Sequence, residues 1–128
     1  MTQRKNISSG AKWENLVGYS RAVRIGNQME ISGTVAVNEN GVVGKGSFYE
    51  QTRYIIEKIE SILAKEGYSL HDVIRTRMFV TDITKWEEVG RAHGEFFREI
   101  KPATSMIEIS ALIDPDYLVE IEVTAIKS

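Results

Sequence analysis

The chain has no cysteine, only two prolines and only two histidines among its 128 residues. Without cysteine it can form no disulfide framework, no thiolate nucleophile and no cysteine-based zinc site, a composition that suits a reducing compartment. The histidines, His71 and His93, fall in different predicted elements, and no spacing of His, Asp or Glu resembles a ligand set. We therefore expect neither a metal ion nor another cofactor.

Long apolar runs are also missing. The start of the chain, MTQRKNISSGAKW, contains no apolar core of the kind found in signal peptides. No later run approaches the length that spans a bilayer. We expect a cytoplasmic protein that is neither secreted nor inserted into a membrane.

Positive charge is not in excess. Sixteen Lys and Arg residues against eighteen Asp and Glu residues give a formal net charge of -2. Such a chain offers no overall positive field to a phosphate backbone, so nucleic acid is disfavoured as a partner and RNA cleavage as an activity. The apolar content of 42% is that of an ordinary globular protein, and the absence of linkers and repeats predicts one domain, 1–128.

Alternating and β-branched runs predict the strands. The runs 19–25 and 29–37 flank Gly26 and Asn27, a pair suited to a two-residue hairpin turn. The turn-forming sequence at 38–41 predicts a short return strand at Val42 and Val43. The same criteria predict three later strands, at 72–81, 105–110 and 118–126.

Two capping-box patterns predict the helices. Residues 47–50, SFYE, open the first helix, and Gly67 is placed to end it. Residues 84–87, TKWE, open the second, whose apolar stripe runs to Ile100, with Pro102 just beyond. The order β-β-(β)-α-β-α-β-β predicts an α+β domain in which two helices pack on one face of a mixed sheet.

Several separated segments resemble the RidA (YjgF) family of reactive-intermediate deaminases, in the family's order. They are GYS at 18–20, ISG at 31–33, TRMFVTD at 76–82 and KPATSMIEISALIDPDYLVEIEVTAI at 101–126. The resemblance covers nearly the full chain and implies a chorismate-mutase-like fold that assembles as a homotrimer, with small-molecule clefts between subunits. Consistent with this, the run 119–126 carries apolar side chains in both phases, so both sheet faces need cover.

The resemblance also implies a reaction and its residues. In the deaminases that the chain resembles, an arginine binds the carboxylate of a 2-imino acid and a glutamate positions the water that hydrolyses the C=N bond. A guanidinium holds a carboxylate through two parallel hydrogen bonds, and the glutamate accepts a proton from the attacking water. Matched residue by residue, Glu120 falls on the catalytic glutamate, and Tyr19 and Ser32 fall on residues of the substrate cleft.

Three other positions of the implied substrate site differ from the family pattern. Thr104 stands where the arginine is expected, Gly90 where a cleft asparagine is common and Met106 where cysteine is frequent; Ser105 matches the serine that follows the arginine. A neutral hydrogen bond is worth about 1 kcal/mol, against roughly 1.5 to 3 kcal/mol for a charge-assisted one. Position 104 therefore predicts carboxylate binding weaker by at least about tenfold, and a less acidic or uncharged ligand.

His93 and the activity itself each have two interpretations. His93 lies in the apolar stripe of the second helix, either as a partly buried residue with a satisfied ring nitrogen or as a cleft residue that acts as acid or base with Glu120. The protein is either a deaminase-like hydrolase of an imine, enamine or related bond, or a protein that binds a metabolite in the same clefts without turnover. Retention of Glu120, Tyr19 and Ser32 favours the enzyme, and Thr104 favours the binder.

Overall fold

The computed structural model describes residues 3–128 and contains one large sheet with two long helices against it. The strands are β1 (Arg4–Ile7), β2 (Ala22–Ile25), β3 (Gln28–Val35), β4 (Val37–Asn38), β5 (Gly41–Val42), β6 (Val73–Val80), β7 (Ala103–Glu108) and β8 (Val119–Ile126). The helices are α1 (Lys12–Val17), α2 (Phe48–Lys65) and α3 (Trp86–Phe97). None of the helices within residues 3–128 has the length and hydropathy needed to cross a bilayer.

The large sheet has six strands in the order β1-β2-β3-β8-β6-β7. Its neighbours are antiparallel except for β6 and β7, which run parallel. The predicted α+β class with a mixed sheet is thereby confirmed. The chain around Gly26 also turns as predicted, since this glycine has a φ of 61° and joins β2 to β3. The predicted return strand is β5, which pairs with β4 in a separate two-stranded sheet.

The core lies between the helices and one face of the sheet. Along β8 the buried positions alternate with half-buried ones, so that Val119, Ile121, Val123 and Ala125 point into the core. The opposing side of α2 contributes Ile55, Ile56, Ile59 and Leu63. Burial of an aliphatic side chain of this size contributes about 1.5 to 3 kcal/mol. This alternation leaves Glu120 and Glu122 on the face of β8 that the helices do not cover.

The two long helices begin differently. Ser47 caps α2 as predicted, because its Oγ accepts a hydrogen bond of 3.0 Å from the amide of Glu50. The predicted cap at Thr84 is wrong. Thr84 donates its amide and its hydroxyl to Asp82 Oδ1, at 3.0 and 2.6 Å, in a short 3-10 turn that precedes α3. A carboxylate is a stronger acceptor than a hydroxyl, so Asp82 organises this start.

The N-terminal β1 and α1 are absent from the predicted order. Strand β1 pairs with β2 at the edge of the sheet, and three of its four residues are exposed. Helix α1 has six residues and ends at Gly18, whose φ is 90° and whose amide donates to the carbonyl of Glu14 at 2.9 Å. Both elements are too short to show a hydrophobic period. Together they place Tyr19 beside the middle strands.

Candidate functional site

Glu120 is the second residue of β8, a central strand of the sheet, and lies opposite Val35 of β3 and Phe79 of β6. It is half-buried on the sheet face that the long helices α2 and α3 do not cover. Burial raises the pKa of the Glu120 carboxyl above its ordinary value, the like charge of Glu122 adds to the effect, and Arg21 opposes it. The ionised form is therefore a stronger base than an ordinary surface glutamate.

A cavity of about 480 Å³ lies beside Glu120. Its wall combines apolar side chains with a few polar groups, which is the usual character of a small-molecule site. The residues that line it include Trp13, Tyr19, Arg21, Gly33, Val35, Lys58, Ile113 and Glu120. Side chains from α1, α2, β3 and β8 thus meet at one end of the sheet.

Gly33 leaves the space that the Glu120 side chain occupies. A Cβ built on Gly33 would stand 1.7 Å from Glu120 Oε1 and 2.7 Å from its carboxyl carbon. The pairing of β3 with β8 is irregular between Ile31 and Thr34, so the strand bulges at this point. The carboxylate therefore rests against backbone, which only glycine permits here.

Of the two predicted cleft residues Tyr19 and Ser32, Tyr19 lines the Glu120 cavity and Ser32 does not. Tyr19 is 39% exposed and lines the Glu120 cavity as well as a neighbouring depression of about 500 Å³. Ser32 lines only the neighbouring one, and its Oγ donates to the carbonyl of Ser20 at 2.6 Å. The structure thus brings Tyr19 to Glu120 and commits the hydrogen of the Ser32 hydroxyl to the backbone.

Two cationic side chains in the Glu120 cavity were not predicted from the sequence. Arg21 Nη2 donates to the carbonyls of Ser32 and Gly33, at 2.8 and 2.7 Å. Lys58 Nζ donates to the carbonyl of Val37 at 3.0 Å. The signal for Arg21 was its place directly after the GYS segment. Lys58 gave only a weak one, since it follows Ile55 by three residues in the apolar stripe of α2.

Thr104 lies outside the Glu120 cavity, in a network of side-chain hydrogen bonds that connects β6, β7 and α3. It stands beside the fully buried Thr76, and the two hydroxyl oxygens are 2.8 Å apart. Thr104 Oγ1 also donates to the carbonyl of Pro102 at 3.1 Å. On the other side, His93 Nε2 is 2.9 Å from Thr76 Oγ1.

The carbonyl of Pro102 determines which group donates in each hydrogen bond of this network. Because Thr104 gives its hydrogen to that carbonyl, Thr76 donates to Thr104, and Thr76 Oγ1 accepts from His93 Nε2–H. Burial lowers the pKa of His93 to about 4, so the ring is neutral at pH 7. Its ring centroid lies 4.6 Å from that of Phe97. Within one chain, His93 is thus a half-buried histidine with one satisfied ring nitrogen.

The remaining predicted site residues, Gly90, Ser105 and Met106, take no part in these hydrogen bonds. Gly90 lies on α3, and a Cβ there would meet only Trp86, at 3.9 Å. Ser105 Oγ accepts from Arg75 Nη2 at 3.0 Å, and Met106 packs against the core. His93 and Thr104 line a depression of about 370 Å³, whereas Gly90 lines a different one of about 450 Å³.

Glu120 and Thr104 lie on opposite faces of the sheet. Thr104 is level with Thr76, which is opposite Val123 on the helix-covered face. Glu120 belongs to the other phase of β8. One chain therefore gathers the predicted residues into two separate groups, and a single cleft that contains both requires two chains. The part of the chain that the structure describes holds no group of three or more His, Asp or Glu side chains placed for a metal ion.

The fold is that of YjgF-type proteins. A solved structure of a member of the YjgF/YER057c/UK114 family from Mycobacterium tuberculosis is 45% identical, with a TM-score of 0.88, and the match covers 98% of this chain and 100% of that one. Residues 10–127 match the family model described as endoribonuclease L-PSP.

Two curated relatives agree with this assignment. An uncharacterized protein of Streptomyces coelicolor is 33% identical over 123 residues, which are 96% of this chain and 92% of that protein. The 3-aminoacrylate deaminase RutC of Acinetobacter baylyi is 34% identical over 107 residues, which are 83% of this chain and 84% of that protein. The chain belongs to the endoribonuclease L-PSP family, also called the YjgF/RidA family, as the sequence segments predicted.

Proposed function

We propose that the protein is a divergent deaminase-like hydrolase of an imine, enamine or related metabolite, and that Glu120 is its catalytic residue. The half-buried Glu120 carboxylate beside a cavity of about 480 Å³ carries this proposal. Its raised pKa suits a group that takes a proton from water. Similarity to a relative named for deamination of 3-aminoacrylate, an enamine, supports the same class of substrate.

In the proposed reaction, Glu120 orients a water molecule and accepts its proton as the water oxygen bonds to the C=N carbon. The π electrons of the C=N bond move to nitrogen, which takes up a proton from solvent. In the resulting carbinolamine the hydroxyl loses its proton to solvent, its oxygen forms the C=O bond as the C–N bond breaks, and Glu120 returns its proton to the leaving nitrogen. Imine and water thus become a carbonyl compound and ammonia, without a further reactant. An enamine enters the same sequence after it tautomerises to the imine.

A homotrimer with clefts between subunits is part of this proposal. Glu120 and Thr104 lie on opposite faces of one sheet, so Thr104 meets a Glu120 cavity only across a subunit boundary. Strand β7 is the last strand of the sheet, and Ile107 on it is 47% exposed. An open strand edge with exposed apolar side chains favours association with another copy.

The second candidate function is metabolite binding without turnover, in the same clefts. The observation that favours it is the engagement of Thr104, whose hydroxyl is already bonded to Pro102 and Thr76. A side chain committed in this way supplies neither charge nor a free donor to a substrate carboxylate.

Hydrolysis of freshly generated 2-iminobutanoate, 2-aminoacrylate and 3-aminoacrylate separates the two candidates. The hydrolase predicts ammonia release by the wild-type protein and its loss in Glu120→Gln, which keeps size and removes the base. Ligand binding without ammonia release, equal in both proteins, would identify a binding protein. Sedimentation equilibrium of the same samples tests the trimer.

A further inference from the structure

We propose that Arg21 is a positioning residue of the candidate active site, because its guanidinium holds the bulge of β3 against which the Glu120 carboxylate rests. The inference rests on the proposed role of Glu120 as the catalytic residue. It adds to that role a residue that the family resemblance does not supply, and it assigns a function to a buried cation that the proposed reaction does not use.

The bulge leaves two residues of β3 outside the strand pairing. Strand β3 pairs with both β2 and β8 as far as Ile31, and it pairs with β8 again from Thr34. In the described part of the chain, Ser32 and Gly33 lie opposite no residue of either neighbouring strand. A backbone carbonyl that is shielded from water is costly when it has no donor, so these two carbonyls need a donor from outside the sheet ladder.

Arg21 supplies that donor from the position directly before β2. Its Nη2 donates to the carbonyls of Ser32 and Gly33, at 2.8 and 2.7 Å. Its own backbone carbonyl accepts a hydrogen bond of 3.1 Å from the amide of Ser32. Three hydrogen bonds thus join one residue to the two unpaired residues of the bulge. Because the guanidinium is planar and its donors have fixed directions, it restrains both carbonyls at once.

The place of the bulge determines the place of the carboxylate. A Cβ built on Gly33 would lie 1.7 Å from Glu120 Oε1, so the carboxylate packs against the Gly33 backbone. A shift of that backbone therefore moves the surface on which Glu120 rests. A general base works only within hydrogen-bond reach of the water it activates, and a misplacement of about 1 Å lowers a rate by up to about 100-fold. Arg21 thus acts on the reaction through the backbone at Gly33.

The charge of Arg21 acts on two carboxylates, those of Glu14 and Glu120. The hydrogen bond from the Ser9 hydroxyl lowers the pKa of Glu14, and Arg21 lowers it further. Burial raises the pKa of Glu120 and Glu122 adds to this, whereas Arg21 opposes both. Removal of the Arg21 charge should therefore raise the pKa of Glu120 further. The other ionisable groups that line the cavity or pair with Glu122 include Tyr19, Lys58, Tyr117 and Arg77, which the variants below leave in place.

The test separates the geometry of Arg21 from its charge. Arg21→Lys keeps the charge but replaces the planar group with a point donor, and Arg21→Gln keeps a donor but removes the charge. We expect both to change the backbone amide chemical shifts of Ser32 and Gly33, and to lower kcat for ammonia release from 2-aminoacrylate by about 10-fold to 100-fold with little change in KM. The carboxyl carbon shift of Glu120 should titrate at higher pH in Arg21→Gln and near the wild-type pH in Arg21→Lys.

The matched control is Arg24→Gln. Arg24 lies three residues further along the same segment, where it pairs with Glu66 at 3.5 Å rather than with the bulge. This variant should keep the wild-type kcat, the wild-type amide shifts of Ser32 and Gly33, and the wild-type titration of Glu120.

Three results would overturn the positioning role: wild-type amide shifts of Ser32 and Gly33 in Arg21→Lys, a wild-type kcat in that variant, or a rise in KM alone, which would mean that Arg21 binds the ligand directly. Arg21→Lys decides if Arg21→Gln does not fold. A kcat that falls only in proportion to the folded fraction would reduce Arg21 to a structural residue. If the wild type releases no ammonia, the proposed hydrolase fails, and the amide shifts and the Glu120 titration still decide whether Arg21 holds the bulge.

Discussion

Gly33 and Glu120 fit together so closely that the catalytic carboxylate we propose depends on the absence of a side chain on the neighbouring strand. A Cβ at Gly33 would lie 1.7 Å from Glu120 Oε1. The glycine is thus a requirement of the site, although it was visible in the sequence only as part of the ISG segment. The pairing of β3 with β8 is irregular at the same place, between Ile31 and Thr34.

Gly33→Ala should displace Glu120 and reduce ligand binding and ammonia release by at least about tenfold. Relief of such a clash costs on the order of 1 to 3 kcal/mol of unfolding free energy. The comparison variant is Gly94→Ala, whose Cβ would meet only Arg98 at 3.7 Å and which should stabilise α3 by up to about 1 kcal/mol. Urea unfolding and turnover of both variants check this. Full activity in Gly33→Ala would show that the carboxylate position is not critical.

Glu120 should give the protein a characteristic pH dependence. Its pKa is raised in the folded state, so folding favours the protonated form; this contribution is present below the unfolded pKa and is lost as the pH rises through the folded pKa. Glu120→Gln should therefore be more stable relative to wild type at pH 7 than at pH 4. Turnover, which needs the ionised form, should rise over the same interval. Urea unfolding from pH 4 to 8 measures the stability difference, and the carboxyl carbon chemical shift of Glu120 over the same range measures its ionisation. A stability difference that does not depend on pH would contradict the raised pKa of Glu120.

The sequence contained enough to predict the sheet and the two long helices, because these elements repeat a period over many residues. The alternation of β8 and the stripe of α2 are examples. It did not predict β1 or α1, whose four and six residues are too short for a period to emerge. The capping pattern at Thr84 did not predict that the Asp82 carboxylate, two residues earlier, would be the capping group instead.

Candidate site residues were harder to place than strands, because side-chain faces depend on register. Thr104 and Glu120 are close in the linear motif but lie on opposite faces, owing to the parallel pairing of β7 with β6. Arg21 and Lys58 share a cavity only because α2 crosses the end of β3, which no spacing in the sequence records.

The burial of His93 should make the stability of the protein depend on pH. Its folded pKa of about 4 lies below the ordinary 6.5, so it contributes stability that is present above pH 6.5 and is lost as the pH falls towards 4. The loss is at most about 3 kcal/mol, because solvent partly screens a half-buried ring. His93→Gln should lack this dependence, and nitrogen chemical shifts should show the Nε2–H form in the wild type. Unchanged ligand binding and turnover in His93→Gln, with only stability altered, would exclude a cleft role for this residue.

Thr104→Arg tests whether the second half of the cleft can be restored. The arginine would replace a hydroxyl already bonded to Pro102 and Thr76 with a guanidinium that binds a carboxylate through two hydrogen bonds. We expect affinity for 2-oxobutanoate to rise by at least about tenfold and turnover of 2-iminobutanoate to rise with it. Thr104→Lys, which adds charge without the planar geometry, should gain less. Thr104→Val, which only removes the hydroxyl, should gain nothing. Unchanged affinity in Thr104→Arg would show that position 104 does not limit recognition of the acid.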